Sequence, residues 1–175
     1  MIYYIHGYMS NPDSTKGTLF KKTLNAKAIK YRDCPPEKLL ISDCLKRISE
    51  EIKGDENIIL IGSSLGGFLA AKTALTHSVK KLILLNPAII PIDYDISKIE
   101  DMPQEIVEDM QDEELFTQKI KSDITIFVGT KDTVVPNNWP INFGKTQEAK
   151  IRFLNDDHSF TGYINQLPDF IKNII

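Results

Sequence analysis

Residues 57–77 read NIILIGSSLGGFLAAKTALTH and place two kinds of secondary structure around one short turn. Residues 57–62 are almost entirely apolar, which predicts a strand that is buried on both faces. Residues 64–77 are rich in alanine and leucine and predict a helix. Between them, GSSLG (62–66) matches G-x-S-x-G, a sharp strand-to-helix turn that holds its central serine at the edge of a sheet. The stretch therefore predicts a strand, a tight turn at Ser64 and a helix.

The residues of this turn also indicate a chemical role. A turn of this kind strains the backbone at the serine and leaves no room for a Cβ atom on its neighbours, so Gly62 and Gly66 are needed. The Ser64 hydroxyl then points away from the core, and free N–H groups at the helix start, including that of Leu65, face any charge that forms beside it. We therefore predict Ser64, rather than the flanking Ser63, as a nucleophile. The alternative is a small-residue turn that only packs a helix closely against a sheet.

Five further apolar segments predict strands on either side of this unit. Helix-length polar segments separate them, a pattern typical of βαβ units that build a mostly parallel sheet with helices on both faces. The six predicted strands are 2–6, 27–31, 57–62, 80–86, 124–129 and 150–155. The six predicted helices are 15–24, 37–53, 64–77, about 112–121, 138–145 and 160–175.

Length and composition exclude several classes of protein. The chain has 175 residues, which predicts a single domain over residues 1–175. Its net charge of −3 offers no positive surface to a nucleic acid. The longest uncharged apolar stretch, residues 82–92, is far shorter than the roughly 20 residues of a membrane span, and the N-terminus lacks the basic residues and cleavage site of a signal peptide. Cys34 and Cys44 have no metal-type spacing and indicate free thiols. We expect a cytoplasmic protein with no nucleic-acid partner.

Residues 92–118 interrupt the alternation of strands and helices. The segment contains ten acidic residues and one basic residue, Lys98, and Pro103 predicts a break between two short helices. Long connections in α/β proteins often form lids or binding loops, whereas a run of acids often forms only a solvated surface. Both interpretations stay open, and we describe the segment as a lid-like insertion.

Three histidines are candidates for the base that a serine nucleophile requires. His6 ends the first predicted strand, and His77 lies about 20 Å beyond Ser64 along the predicted helix. His158 follows the last predicted strand, where a loop emerges at the same sheet edge as Ser64. We therefore predict His158 as the base. The alternative is a surface histidine beside two aspartates.

An imidazole base needs a carboxylate on its other nitrogen to fix its tautomer and to stabilise its charged form. Asp132 lies directly after the fifth predicted strand and gives the chain order Ser, Asp, His. We predict Asp132 as this acid. Asp93 and Asp95, after the fourth predicted strand, are the alternative acids. If Asp132 is not catalytic, it is a loop aspartate that forms a local turn.

Attack on an acyl carbon forms an oxyanion that two N–H donors can stabilise. Leu65 supplies one backbone N–H, and Tyr8 supplies a second from the loop after the first strand, because Gly7 lets the chain turn there. This arrangement requires the first and third strands to be neighbours at the switch point of the sheet, where open α/β sheets form their crevice. His6 then has a structural role in holding that loop.

Five motifs in chain order resemble the YqiA-like small esterases of the α/β-hydrolase superfamily. They are YIHGY (4–8) followed by SNP (10–12), IGSSLGGF (61–68), NPA (86–88) with Pro91, GTKD (129–132) and HSFTG (158–162). The resemblance implies a serine hydrolase that cleaves acyl esters or thioesters through an acyl-enzyme intermediate. Ser64, Asp132 and His158 match the positions of the family's catalytic triad, and the resemblance adds no cofactor or metal. One departure is Asp156 and Asp157, which stand where such proteins tend to carry glycines.

The first predicted strand begins at residue 2, so we expect a minimal α/β-hydrolase without leading antiparallel strands. The short 92–118 connection favours an open site and small or flexible acyl substrates. A non-catalytic hydrolase-like module, whose acidic segment binds a protein partner, is the alternative function. A nucleotide-binding domain is a third, but residues 62–67 match neither GxGxxG nor GxxxxGK[ST].

Overall fold

The computed structural model describes residues 1–175 and contains one six-stranded sheet in which all neighbouring strands are parallel. The strands are β1 (Ile2–Ile5), β2 (Lys27–Ala28), β3 (Ile58–Ser63), β4 (Val79–Leu85), β5 (Asp123–Gly129) and β6 (Lys150–Leu154). Their order is β2-β1-β3-β4-β5-β6, so β1 and β3 are neighbours where the order reverses. The predicted sheet and its predicted switch point are confirmed.

β2 is much shorter than the predicted range 27–31. It pairs with β1 over two residues only. The last ladder bond runs from the Ile29 N–H to the carbonyl oxygen of Tyr4 at 2.9 Å, and beyond it the chain leaves β1, although Tyr31 stays fully buried in the core. The prediction extended too far because an apolar residue can be buried without having a strand partner.

Seven α-helices connect and follow the strands. They are α1 (Thr15–Leu24), α2 (Ile41–Ile52), α3 (Leu65–Thr76), α4 (Gln104–Met110), α5 (Glu114–Thr117), α6 (Asn138–Gln147) and α7 (Leu167–Lys172). α1 matches its predicted range at both ends. Ser14 caps its start by accepting a hydrogen bond from the Gly17 N–H, and Asn25 ends it in the left-handed conformation with φ 53°.

The predicted helix at 37–53 is wrong in its first turn. Pro36–Lys38 form a 3₁₀ turn, and α2 begins only at Ile41. The buried residues of α2 include Cys44, Ile48 and Ile52. Leu40 is extended and 58% exposed, so it is not one of this buried row. The helix predicted at about 112–121 is also reduced, to the single turn of α5.

The predicted helix at 160–175 is wrong over its first seven and its last three residues, because residues 161–166 form turns and the helix ends at Lys172. The buried carboxylate of Asp156 accepts hydrogen bonds from the N–H groups of Gly162 at 3.1 Å and Tyr163 at 2.9 Å. These bonds hold the segment in turns, and α7 begins only at Leu167. Phe160 has φ 56°, which is outside the helical region, and helix periodicity does not reveal such a local backbone conformation.

Helices cover both faces of the sheet, as predicted. A core of 34 buried residues lies between the sheet and α2 to α6, and a second core of 11 lies under α1 and α7 on the opposite face. Leu60 and Ile61, adjacent in β3, belong to the first and second core respectively. This division follows from the alternation of side chains along a strand.

The acidic segment 92–118 is anchored to the rest of the fold. Lys72 of α3 forms ion pairs with Asp112 and Glu114, each at 2.6 Å. The apolar side of the segment, including Val107, is buried in the larger core. The segment therefore packs against the rest of the fold and covers part of the larger core.

Three further features concern the helices, the cysteines and the clusters of metal-ligating side chains. No helix in the structure combines the length and the apolar character that crossing a membrane requires. Cys34 is partly exposed, Cys44 is buried, and both are free thiols. No group of three or more His, Cys, Asp or Glu side chains is arranged to hold a metal ion.

Candidate active site

The turn at Ser64 has the strained geometry that the sequence predicts. Ser64 has φ 55° and ψ −122°, a conformation that residues with a side chain rarely adopt. A Cβ atom on Gly62 would lie 2.3 Å from the carbonyl oxygen of Gly66, and one on Gly66 would lie 2.1 Å from that of Ile5. The Ser64 N–H donates to the carbonyl oxygen of Leu85 at 3.0 Å, which fixes the turn to β4. Only glycine fits at positions 62 and 66.

His158 and Asp132 come together from separate loops. His158 Nδ1 lies 2.7 Å from Asp132 Oδ2, and the Asp132 side chain is 1% exposed. The second carboxylate oxygen, Oδ1, accepts hydrogen bonds from the N–H groups of Val134 at 2.8 Å and Val135 at 2.9 Å. These bonds hold the carboxylate in one orientation, directed at Nδ1. The Nε2 atom of His158 is left without a bond to Asp132.

The alternative acids lie elsewhere. Asp93 is exposed, and the carboxylate of Asp95 accepts hydrogen bonds from the backbone N–H and the hydroxyl of Ser97. Both follow β4 on the outer surface of the acidic segment. The structure therefore brings Asp132, and neither alternative, to His158.

Ser64 and His158 line the same cavity, which has a volume of about 740 Å³. Ser64 follows β3, and His158 follows β6, so both come from loops at the carboxyl edge of the sheet. The side chain of His158 hydrogen-bonds Asp132 alone among protein groups, so its Nε2 atom is available to the cavity. No hydrogen bond joins Ser64 to His158, so the cavity that both side chains line is the geometric relation between them.

The loop after β1 passes directly beside Ser64. A Cβ atom on Gly7 would lie 3.3 Å from Ser64 Cβ. The next residue, Tyr8, lines the cavity, and its N–H has no backbone or side-chain acceptor. Leu65 begins α3, so its N–H is one of those that lack an intrahelical acceptor. Both residues predicted as oxyanion donors thus lie next to the turn at Ser64.

His6 is buried behind this loop. It is 1% exposed, its Nδ1 atom lies 2.9 Å from the Gly7 carbonyl oxygen, and its ring stacks on Tyr31 at 4.3 Å. The Tyr31 hydroxyl donates to the same carbonyl oxygen at 3.1 Å, and Arg32 donates to the carbonyl oxygen of Tyr8 at 2.7 Å. These contacts hold the backbone from Gly7 to Tyr8, which agrees with the structural role expected for His6.

Stability at mildly acidic pH is expected to depend on His6. Burial lowers the pKa of His6 to about 4, and the charge of Arg32 acts in the same direction. The unfolded imidazole has a pKa near 6.5, so between pH 6.5 and pH 4 the unfolded state binds more protons. The free energy of unfolding therefore falls as pH falls through this window, by about 3 kcal/mol from this group, and the loss is complete below pH 4.

Urea unfolding at pH 7 and at pH 4.5 measures this effect. Wild type and His6→Asn are compared, because asparagine keeps a hydrogen-bond donor for Gly7 and does not titrate in this range. The difference in unfolding free energy between the two proteins is expected to shrink as pH falls. An unchanged difference would show that His6 does not cause the acid sensitivity.

Asn86 connects the two loops that carry Asp132 and His158. It is 1% exposed and has φ 43°. Its Oδ1 atom accepts from the Gly129 N–H at 2.7 Å, and its Nδ2 atom donates to the His158 carbonyl oxygen at 3.0 Å. Asn86 belongs to the NPA motif (86–88), but no role for it is predicted from the sequence. A polar residue directly after a strongly apolar strand was the available signal, because buried polar groups are almost always hydrogen-bonded.

The two aspartates before His158 stabilise its loop. Asp156 is buried, and its carboxylate accepts from the backbone, including the Tyr163 N–H at 2.9 Å. Asp157 accepts from the Thr161 N–H at 3.0 Å, and this bond holds the pKa of Asp157 below its usual value. The departure from glycine at these positions therefore adds hydrogen bonds within the loop.

The sheet order, the helices on both faces and the serine turn after β3 define an α/β-hydrolase fold. Est1E from Butyrivibrio proteoclasticus, with ferulic acid bound, has a TM-score of 0.79 and 20% identity over 98% of this chain and 86% of that chain. The monoacylglycerol lipase of Paleococcus ferrophilus has a TM-score of 0.76 and 15% identity over 98% and 92%. A lipase-esterase related protein from Clostridium acetobutylicum has a TM-score of 0.73 and 17% identity over 99% and 93%. The likeness to these structures shows the fold.

Within this fold class, residues 1–174 match the family described as Uncharacterised protein family (UPF0227). The chain therefore belongs to that family. UPF0227 is the YqiA-like family, so the resemblance seen in the sequence motifs is confirmed. No curated protein matches the chain in sequence.

Proposed function

We propose that the protein is a serine hydrolase that cleaves acyl esters or thioesters through an acyl-enzyme intermediate on Ser64. The main observation in support of this function is that Ser64 and His158 line the same cavity. Ser64 lines it from a strained turn, and His158 lines it with its opposite ring nitrogen bonded to the buried Asp132. A nucleophile, a base and an acid that orients the base are the groups that acyl transfer needs.

In the first half of the reaction, His158 Nε2 accepts the hydroxyl proton while Ser64 Oγ forms a bond to the acyl carbon. Asp132 keeps the proton of the imidazole on Nδ1 and stabilises its charged form. The N–H groups of Leu65 and Tyr8 donate to the oxyanion. His158 then gives its proton to the leaving alcohol or thiol as the bond to the acyl carbon breaks.

In the second half, His158 accepts a proton from a water molecule that attacks the acyl-enzyme. The same N–H donors stabilise the second oxyanion. His158 then returns the proton to Ser64 Oγ, and the carboxylic acid is released. One ester or thioester and one water are converted to one acid and one alcohol or thiol.

An acyl substrate also agrees with the lining of the cavity. One side is formed by apolar residues, including Ile90, Val107 and Trp139, which suit a hydrocarbon chain. Among proteins of the same fold, Est1E was solved with ferulic acid and another is a monoacylglycerol lipase. We propose small or flexible acyl esters as the substrates on these grounds.

Covalent labelling tests the nucleophile directly. A fluorophosphonate probe is expected to form one adduct with the wild type, because an activated serine displaces fluoride from phosphorus. Intact-mass measurement and peptide mapping are expected to place the adduct on Ser64 and to find none in Ser64→Ala. The matched control is Ser63→Ala, which removes the neighbouring hydroxyl of the same cavity and is expected to label like the wild type.

Equal labelling of Ser64→Ala and the wild type would contradict the assignment of the nucleophile. Absence of an adduct on the folded wild type would contradict the enzyme. That second result would favour the non-catalytic binding module.

A further inference from the structure

The cavity that contains Ser64 has two chemically different sides. One side, defined here as the apolar side, is formed by lining residues that also belong to the larger core: Ala88, Ile90, Val107, Met110, Val135 and Trp139. The other, defined here as the hydroxyl side, is formed by residues 10–16 and 159–161. It presents the hydroxyl groups of Ser10, Ser14, Thr15, Ser159 and Thr161, together with the ammonium-bearing side chain of Lys16. A substrate with uniform polarity would match only one of these sides.

Lys16 is a partly buried cation that forms no ion pair or hydrogen bond with the protein. Burial lowers the pKa of Lys16, while the charges of Asp157 and Asp156 raise it. Both carboxylates already accept hydrogen bonds from backbone N–H groups of their own loop. The ammonium group of Lys16 therefore has carboxylates nearby but no direct hydrogen-bond partner, and an anionic group of a ligand would supply one.

Three charged residues of the acidic segment also line the cavity, and they do not compete with Lys16 for an anion. Lys98 also lines the cavity, but it is exposed and is paired with Asp95 at 3.7 Å. Glu100 and Asp101 are exposed beside it and carry negative charge. An anionic group on a substrate would therefore be repelled from the acidic segment, and Lys16 is the lining cation that has no ion-pair partner of its own.

The position of His158 indicates which part of a substrate meets Lys16. The general acid must reach the leaving group, so the leaving group lies on the side of the histidine loop. Ser159 and Thr161 belong to that loop and line the hydroxyl side. Lys16 lies close enough to the loop to be influenced by Asp156 and Asp157. The hydroxyl side is thus the leaving-group side, and the apolar side is left for the acyl chain.

We propose that Lys16 is a specificity-determining residue that binds an anionic group, a carboxylate or a phosphate, on the leaving group of the substrate. The preferred substrates are then esters or thioesters that join an apolar acyl chain to a negatively charged alcohol or thiol. This inference rests on the proposed hydrolase function and specifies its substrate class.

Three matched esters test the proposal. They are 4-hexanoyloxybenzoate, 4-hexanoyloxyphenyl phosphate and the neutral 4-hexanoyloxybenzamide, which share the acyl chain. The wild type is expected to hydrolyse at least one anionic ester with a kcat/KM about tenfold above that of the neutral ester, mainly through a lower KM. Whether the carboxylate or the phosphate shows the larger gain identifies the kind of anion.

Lys16→Gln is expected to abolish this preference and to leave kcat/KM for the neutral ester within about twofold of the wild type. Lys16→Arg is expected to restore most of it, because arginine also binds carboxylates and phosphates. The control is Lys98→Gln, which removes the same charge from the other side of the cavity and is expected to keep the preference. Thermal unfolding of each variant verifies that the fold is unchanged.

The proposal fails if the wild type shows no preference for either anionic ester, or if Lys16→Gln keeps the preference. Fluorophosphonate labelling of Ser64 separates this failure from failure of the hydrolase function, because labelling does not require an anionic leaving group. If labelling occurs without turnover of the esters, labelling rates of a carboxylate-bearing fluorophosphonate and its neutral amide provide the same comparison. Equal rates in the wild type and Lys16→Gln would then overturn the proposal.

Discussion

Replacing Ser64 by alanine is expected to lower kcat/KM for 4-nitrophenyl butyrate by at least about 10³-fold. The variant has no hydroxyl that can form the acyl-enzyme, so the two-step route is lost. Any residual rate comes from substrate binding and the oxyanion donors acting on direct attack by water. Initial rates, corrected for hydrolysis in buffer alone, measure the loss.

The same substitution is expected to leave stability nearly unchanged. Serine and alanine both carry a Cβ atom, so the strain at φ 55° is the same in the two proteins. Thermal unfolding of the wild type and Ser64→Ala should therefore agree to within about 2 °C. A variant that unfolds early would not be informative about catalysis, and Ser64→Cys would then provide the folded comparison. Retained activity in a folded Ser64→Ala protein would place the nucleophile elsewhere.

The sheet was predictable because its strands are local signals. Residues 58–61 and 82–85 are apolar on both faces, as a central parallel strand requires, and both are found in the predicted places. The start of α1 was predictable for a similar reason, because Ser14 caps the helix through residues only three positions away. Of the sheet order, only the neighbouring positions of the first and third strands at the switch point were predicted, and the structure confirms them.

The errors in secondary structure arise where the spacing of apolar residues is not the deciding signal. The turns at 161–166 are anchored by Asp156, whose buried carboxylate accepts from the N–H groups of Gly162 and Tyr163, and they follow Phe160, whose φ of 56° is outside the helical region. Leu40 is apolar and has the spacing of a helix stripe, yet it is exposed and extended. Neither outcome can be read from the periodicity of the sequence.

The candidate site likewise combines features that the sequence predicts with features that it does not. The positions of Ser64, Asp132 and His158 followed from loops that leave parallel strands at one sheet edge, and the structure places Asp132 against His158. The contribution of Asn86 depends on which two loops pass on either side of it. The environment of Lys16 depends on the depth of the cavity and on the orientation of nearby carboxylates. Both therefore required the three-dimensional structure.

Gly66→Ala is expected to cause the largest loss of stability of any single-methyl addition in the turn. The new Cβ atom would lie 2.1 Å from the Ile5 carbonyl oxygen and 2.5 Å from that of His6, and both are backbone atoms that cannot rotate away. The expected loss is more than about 4 kcal/mol, which is a large part of the stability of a typical domain. Urea unfolding, or a fall in Tm of about 10 °C or more, measures it.

Gly54→Ala is the matched control, because it adds the same methyl group where no atom lies within 4 Å. Gly54 has φ 83°, so a cost of about 1 kcal/mol from backbone strain is expected there. The contrast separates steric exclusion at Gly66 from the general effect of replacing glycine. The contrast also connects stability to function. α3 approaches β1 so closely that a Cβ atom on Gly66 is excluded, and the same approach brings Gly7 and Tyr8 beside Ser64. A Gly66→Ala protein as stable as Gly54→Ala would show that this approach is looser, and would weaken the assignment of Tyr8 as an oxyanion donor.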